Sequence, residues 1–385
     1  MIFSYCVVLC NRYVRVYLFV IRTYKLKNLN IKLIFGVIAL TIIGILVIGS
    51  ANYEYQSKQI LGMILGIIVM GFVALVDYDF VLQFSRLYYV GVMALLILVL
   101  LVGDDSGGAT RWINIGIRFQ PSELGKILLI LFFSKYLMQN EDEINEPRFL
   151  VKTAILAAIP LLLIVKEPDL STTIVTFLII ASLLFVTGLS YKLIGFVLAI
   201  AIPSVSLLLF IITREGSTIL EGYQNMRILA WLKPEEYPET AYQQQNSIMA
   251  IGSGQLLGKG LYNTSVDSVK NGNYISEPQT DFIFAVAGEE MGFVGAVFII
   301  LLLLFITYQC IHTAKVAKDL SGKLICSGMA ALIGFQSFVN ICVVTGLMPN
   351  TGLPLPFVSY GLTSLVTLYF GIGFVLNVGL QAKKY

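Results

Sequence analysis

The single histidine, His312, closes an apolar run, so proton transfer anywhere else in this chain must use carboxylates. Carboxylates and cations recur within or beside long apolar stretches. There an ionised group costs about 2.5 to 3.5 kcal/mol at the bilayer centre on insertion scales, which makes each one a functional candidate. In QTDFIFAVAGEEMGFVG, residues 279–295, Asp281 directly precedes Phe282, Ile283 and Phe284. An apolar wall behind a carboxylate strips its hydration, raises its pKa and makes it a better proton acceptor. A helix N-cap shared with Thr280 explains the same residue. Glu289 and Glu290 are expected about two turns deeper in the membrane and cannot both face lipid, so at least one points into the bundle.

Three further segments carry polar chemistry. RWINIGIRFQPSELGK, residues 111–126, places Pro121 in a first helical turn with Glu123 beside the positive helix end and Lys126 three residues on. Glu123 and Lys126 either neutralise each other or contact a substrate. KEPDL, residues 166–170, sets three charges and a proline between apolar runs; Asp169 is placed to cap the next helix, to bind a cation, or to pair with Lys126 or Arg227. NTGLPLPFVSYGLTS, residues 350–364, follows Pro349 and contains Pro354 and Pro356. Broken backbone at membrane depth must be covered by protein or line a wet cavity, here with Ser359, Tyr360, Thr363 and Ser364 as its polar lining. GSGQLLGKG, residues 252–260, offers either backbone amides for a phosphate or a tight turn.

The elements that position these groups are membrane spans. Of 385 residues 57% are hydrophobic and 13% charged, with mean hydropathy +0.84, far from a soluble domain with about 25% charge. Apolar runs long enough to cross about 30 Å of hydrocarbon fall at 31–51, 59–76, 80–102, 121–138, 149–165, 170–189, 193–213, 282–309, 324–347 and 357–380. The expectation is an all-α polytopic membrane protein of about ten transmembrane helices, with one large extracellular loop, 214–280, between helices seven and eight. Residues 31–381 form one membrane domain, 1–30 an N-terminal extension and 382–385 a tail. Most Lys and Arg fall on one side when both termini are cytoplasmic, which sets a multi-pass orientation in the plasma membrane. The loop is expected to be ordered and to fold back on the membrane, with Tyr223, Trp231, Tyr237, Tyr242, Leu256, Leu257 and Leu261 as anchors. Residues 1–22 are too broken for a span and read as an interfacial helix or an over-extended start. Cys6, Cys10, Cys310, Cys326 and Cys342 show no ligand spacing and read as small apolar fillers. No nucleotide-sugar domain, internal repeat or nucleic-acid signature is evident.

RWI at 111, QPSE with Lys126, EPDLST at 167, YQNMRI at 223, AIGSG and GKG over 250–260, TDFIFAV with GEE over 280–290 and TGLPLPFVSYG at 351 occur in one order. Over roughly 24–385 this order resembles the shape, elongation, division and sporulation family of RodA, FtsW and SpoVE. The short tails look more like RodA than FtsW. The chain departs from the family at Leu362, Ser171 and Gln255, where glycine is common, and residues 1–22 have no family counterpart.

The resemblance implies a peptidoglycan glycosyltransferase that joins lipid II units at the outer face of the membrane beside a class B penicillin-binding transpeptidase, with the essential aspartate at Asp281. In that reading Asp281 is the general base and undecaprenyl pyrophosphate leaves with inversion at the donor sugar. Arg111, Lys126 and Arg227 are the candidates to compensate the pyrophosphate. Glu123, Asp169, Glu290, Ser359 and Tyr360 complete the substrate-binding candidates, and a divalent cation, Mg or Mn, is read as held by Asp169 or Asp281. A lipid II transporter and a noncatalytic scaffold for the transpeptidase are the competing readings; inverted repeats would favour the first.

Overall fold

The computed structural model describes residues 24–106, 109–114, 118–212, 223–263, 268, 271–272 and 274–382. The extension at 1–22, the start of the outer loop at 213–222 and the tail at 383–385 lie outside them. The helices are α1 Ile31–Ala51, α2 Tyr53–Leu75, α3 Tyr78–Leu82, α4 Ser85–Val102, α5 Pro121–Gln139, α6 Pro147–Lys166, α7 Leu170–Thr187, α8 Tyr191–Ile212, α9 Tyr223–Leu232, α10 Pro238–Ser253, α11 Ile283–Lys315, α12 Leu320–Val344 and α13 Leu362–Leu380. Eight of them, α1, α2, α4, α6, α7, α11, α12 and α13, are long and apolar enough to cross a membrane. Helices α5 and α8, of 19 and 22 residues, stand at the other two expected positions.

Caps and prolines fix where these helices begin. The side chains of Asn30, Asp169 and Asp319 accept from Leu33 N, Thr172 N and Gly322 N. Pro121 and Pro147 open α5 and α6, where a missing N–H costs nothing. Helix α2 starts six residues before the expected Gln59, because Asn52 caps it through Glu54 N and the polar turn stays helical. The expected third span is split by a break near Gln83 into α3 and α4.

Helices α12 and α13 form the centre. Their most apolar windows are 67% and 72% buried, against 22% for α4 and α6, whose remaining faces meet lipid. Exposed Phe35, Phe72 and Leu101 belong to that lipid-facing belt, where apolar exposure carries no penalty. Cys310, Cys326 and Cys342 are buried free thiols packed as small apolar groups.

Two features depart from a purely helical bundle with one broken segment. Between α4 and α5 a small antiparallel sheet forms from β1 Asp104–Ser106, β2 Ala109–Asn114 and β3 Arg118–Phe119, in the order β1-β2-β3. Gly292, at φ +66° and ψ −166°, interrupts α11 and divides it into a half-helix from Ile283 and a longer arm that carries the span to Lys315. The expected eighth span, 282–309, is therefore two pieces. The half-helix from Ile283 to Glu290 is buried by protein on every side.

Candidate active site

The half-helix is held by the segment after α10. Lys259 N and Gly260 N donate to Glu289 O and Glu290 O at 3.0 and 2.9 Å, while Phe293 N and Val294 N donate to Gln255 O and Leu256 O at 2.8 and 3.2 Å. Carbonyls at the end of one helix and amides at the start of the next thus find partners that the kink denies them. Backbone approaches backbone so closely here that a Cβ at Gly292 would collide with Gly258 N and Leu256 O, which requires glycine in addition to its positive φ. The GSGQLLGKG segment is therefore a clamp on a broken helix, its Lys259 and Gly260 amides already engaged.

Contacts at the two ends of the half-helix tie it to one end of the bundle. Near its start, Asn340, one turn from the end of α12, donates to Asp281 O at 2.8 Å and Leu353 O at 2.6 Å. Near its end, Glu290 Oε1 accepts from Ser50 Oγ at 2.6 Å, next to the last residue of α1. Both neighbours sit at the same end of the bundle. Glu289 and Glu290 are thus no deeper than Asp281, which corrects the expectation that they lie two turns further in. Glu289 pairs with Lys259 at 2.7 Å.

Asp281 does not cap its helix: Phe282 occupies the N-cap position without a side-chain bond, and Thr280 Oγ1 turns back to Glu277 O. The Asp281 carboxylate faces the turn at Gly352 instead. A Cβ built on Gly352, φ +71°, would lie 3.2 Å from Asp281 Oδ2, 3.6 Å from Arg111 Nη1 and 3.9 Å from Arg227 Nη1. Three charged groups from β2, α9 and the start of α11 therefore surround one point, and only a residue without a side chain leaves it open. Burial raises the Asp281 pKa, the guanidiniums of Arg227 and then Arg111 pull it down, and the result stands at about 6.

The arginines are themselves positioned by backbone. Arg227 Nη1 donates to Asn350 O at 3.2 Å; Arg111 donates to Pro168 O, and through Nε to Glu167 O at 3.4 Å. Asp169 caps α7 and accepts from Gln120 Nε2 at 3.2 Å, with Arg111 Nε 3.9 Å away. Its basic partner is Arg111 rather than Lys126 or Arg227. Glu167 is fully buried and neither of its carboxyl oxygens has a hydrogen-bond partner; burial, with Asp169 nearby, pushes its pKa up to about 8. A cleft lined by Arg111, Pro168, Ser171, Arg227, Asn350 and Thr351 opens beside this cluster.

Other expected site residues have structural roles. Lys126 Nζ, buried, lies 2.6 Å from Glu123 Oε1 and 2.7 Å from Gln336 Oε1, while Ser364 Oγ donates to Glu123 Oε2 at 3.2 Å. Lys126 therefore belongs to a closed internal network and leaves the set that compensates pyrophosphate charge. Ser359 Oγ accepts from Leu355 N at 2.7 Å and donates to Thr280 O at 2.6 Å, strapping 350–361 to the residue before Asp281. Tyr360 N donates to Gln279 O at 2.8 Å, and its ring packs 4.4 Å from that of Tyr55. Glu290 is removed from the cluster by its place at the far end of the half-helix.

The donor set does not fit a resident divalent cation. Among the described residues no three metal-ligating side chains gather. The Asp169 oxygens already accept from Thr172 and Gln120 with Arg111 Nε 3.9 Å away, and Asp281 faces two guanidiniums. Arg111 and Arg227 supply positive charge where the cation was expected.

Gly352, Asn340, Gln336 and Glu167 were not singled out as site residues from sequence. An Asn and a Gln within the apolar run of α12 are a usable signal, since buried amides need partners.

The outer loop is ordered where it is described, and α10 lies on the end of α12. Gln244 Nε2 donates to Val343 O and Met348 O, Ser247 Oγ to Val344 O, and Trp231 Nε1 to Gly346 O, at 2.7 to 2.8 Å. Tyr242, Leu256, Leu257 and Leu261 are exposed and pack on no part of the described protein core.

The sequence profile of the FtsW, RodA and SpoVE family, described as cell cycle protein, matches residues 24–384. The probable peptidoglycan glycosyltransferase FtsW of Geobacter sulfurreducens is 31% identical over 376 residues, covering 93% of this chain and 97% of that protein. The Escherichia coli O6:H1 protein of the same name is 33% identical over 331 residues, 84% of this chain and 76% of that protein. Among solved structures, a chain of a peptidoglycan synthase complex, described as coordinating polymerization and crosslinking, aligns with TM-score 0.76 and 29% identity over 92% of this chain and 97% of its own. Thermus thermophilus rod shape determining protein RodA aligns with TM-score 0.67 and 26% identity over 94% and 98%. FtsW and RodA relatives both appear, and neither branch is singled out. Matched over nearly its whole length, with Asp281 and its two arginines gathered around Gly352, this chain belongs to the FtsW, RodA and SpoVE family.

Proposed function

We propose that this protein is a peptidoglycan glycosyltransferase that polymerises lipid II at the outer face of the plasma membrane, with Asp281 as its general base. The observation that carries the reading is the convergence of Asp281, Arg111 and Arg227 around Gly352. A carboxylate with a pKa raised to about 6 is ionised at neutral pH yet basic enough to accept a proton in the transition state. The acceptor GlcNAc 4-hydroxyl loses its proton to Asp281 as its oxygen attacks the anomeric carbon of the donor MurNAc. The bond to the undecaprenyl pyrophosphate oxygen breaks with inversion, and Arg111 and Arg227 offset the charge that develops there. A lipid-linked donor brings its sugar to this depth, which fits a site at the end of the bundle.

The termini are cytoplasmic in this reading and the Asp281 end of the bundle faces outward, because most Lys and Arg then stay inside. Residues 31–381 act as one membrane unit with 214–280 as its outer loop. A crosslinking transpeptidase, a class B penicillin-binding protein, is the partner, in line with the synthase complex that this chain resembles.

The test is glycan polymerisation from purified lipid II by protein copurified with its transpeptidase, beside Asp281→Ala. Polymer from wild type and a loss of about a hundredfold or more in a variant of equal melting temperature support the reading. Undiminished polymer from Asp281→Ala removes the base; movement of labelled lipid II across the bilayer without polymer favours a transporter.

A further inference from the structure

A second cavity, of about 420 Å³, lies at the opposite ends of the helices from the Asp281 cleft. It opens between the start of α4, the end of α5 and the start of α6, and its lining is graded along the membrane normal. At the helix ends stand Ser85, Arg86, Gln139 and Asn140, with Lys152 in the second turn of α6. One turn further in stand Tyr89, Val90 and Leu156, and on α5 Phe132 lies below Tyr136. Both charged lining residues are cations, and no carboxylate lines the cavity.

The wall is built to stay in place. Tyr89 Oη donates to Leu156 O at 2.9 Å, bridging α4 and α6. Tyr136 stacks on Phe132 and Phe149 at 5.9 and 5.3 Å, and Lys152 Nζ lies over its ring at 5.9 Å. Arg86 and Lys152 are exposed and have no carboxylate partner among the described residues, although Glu141, Asp142, Glu143 and Glu146 follow in the next connection. Two cations at headgroup level above an aromatic and aliphatic wall match an anion joined to an acyl chain.

We propose that this cavity binds an anionic phospholipid of the leaflet opposite the catalytic cleft, its phosphate between Arg86 and Lys152 and its first acyl carbons against Tyr89, Phe132 and Leu156. With the orientation given above, that leaflet is the cytoplasmic one. The three helices that line the cavity lead at their other ends into the sheet carrying Arg111 and the turn carrying Asp169, so the lipid sits against the frame of the catalytic cleft.

The experiment is native mass spectrometry of the purified full chain equilibrated with equal amounts of dioleoylphosphatidylglycerol and dioleoylphosphatidylcholine, with melting temperature followed in parallel. Wild type is expected to retain the anionic lipid about tenfold over the zwitterionic one, and the double variant Arg86→Gln, Lys152→Gln about twofold or less. The charge-preserving pair Arg86→Lys, Lys152→Arg restores the preference, which separates lost charge from lost folding. Equal retention of both lipids by wild type overturns the proposal. So does an equal loss of preference in Lys135→Gln, Arg148→Gln, which neutralises two cations outside the cavity and would mark diffuse surface charge. Thermal stabilisation by inorganic phosphate equal to that by phosphatidylglycerol would make the site one for free anions and overturn it as well.

Discussion

A carboxylate against an apolar wall resists ionisation, and guanidiniums facing it favour ionisation. At Asp281 burial outweighs Arg227 and Arg111, so the pKa rises to about 6 without leaving the range useful at neutral pH. Glu167 is also raised by burial, but it has Asp169 beside it and only Arg111 to oppose the rise, and it holds its proton to about 8. Since the neutral acid is the resident form at pH 7, Glu167→Gln is expected to keep the melting temperature of wild type within about 0.5 kcal/mol of stability, checked by thermal unfolding in detergent. Asp281 was legible in the sequence because its charge stands directly before three apolar residues. Its arginines were legible as residue types, but their meeting at Gly352 depends on contacts between segments far apart in the chain. Asn340 and Gln336 escaped because a search for ionisable groups passes over amides.

At the scale of elements, hydropathy located the spans but not the break at Gly292. A half-helix buried by protein and a helix buried by lipid are apolar for different reasons and look alike in composition. The clamp on that break gives two opposite expectations. Gly292→Ala places a Cβ against Gly258 and Leu256 at a positive φ and is expected to destabilise the fold by at least about 1 to 3 kcal/mol. Gln255 adopts φ +49°, a left-handed backbone that glycine takes without strain, so Gln255→Gly is expected to stabilise it by about 0.5 to 1 kcal/mol. Melting temperatures in one detergent check both. The Ser171 hydroxyl donates to Thr351 O at 2.9 Å and ties α7 to the turn beside Gly352. The small sheet was not foreseen because its strands of two to six residues carry too little alternation to register beside the spans.

For the whole molecule, the catalytic cleft and the basic cavity lie at opposite ends of one bundle, and the charge rule decides which end faces out. Single cysteines at Glu236 and Asp142 test this: an impermeant maleimide is expected to label Glu236→Cys in intact cells and Asp142→Cys only after permeabilisation. The buried positions of Cys310, Cys326 and Cys342 keep their background low. The central claim is that Asp281 accepts the proton in glycan transfer while two guanidiniums hold down its pKa. The most direct test is the pH dependence of polymerisation at saturating lipid II for wild type and Arg227→Gln. Activity should rise with pH through a limb near pH 6 as Asp281 loses its proton. Removing Arg227 takes away the largest influence lowering that pKa, so the limb should move to higher pH as the maximum falls. A limb that stays in place in Arg227→Gln, or polymerisation independent of pH between 5 and 8, would contradict Asp281 as the base.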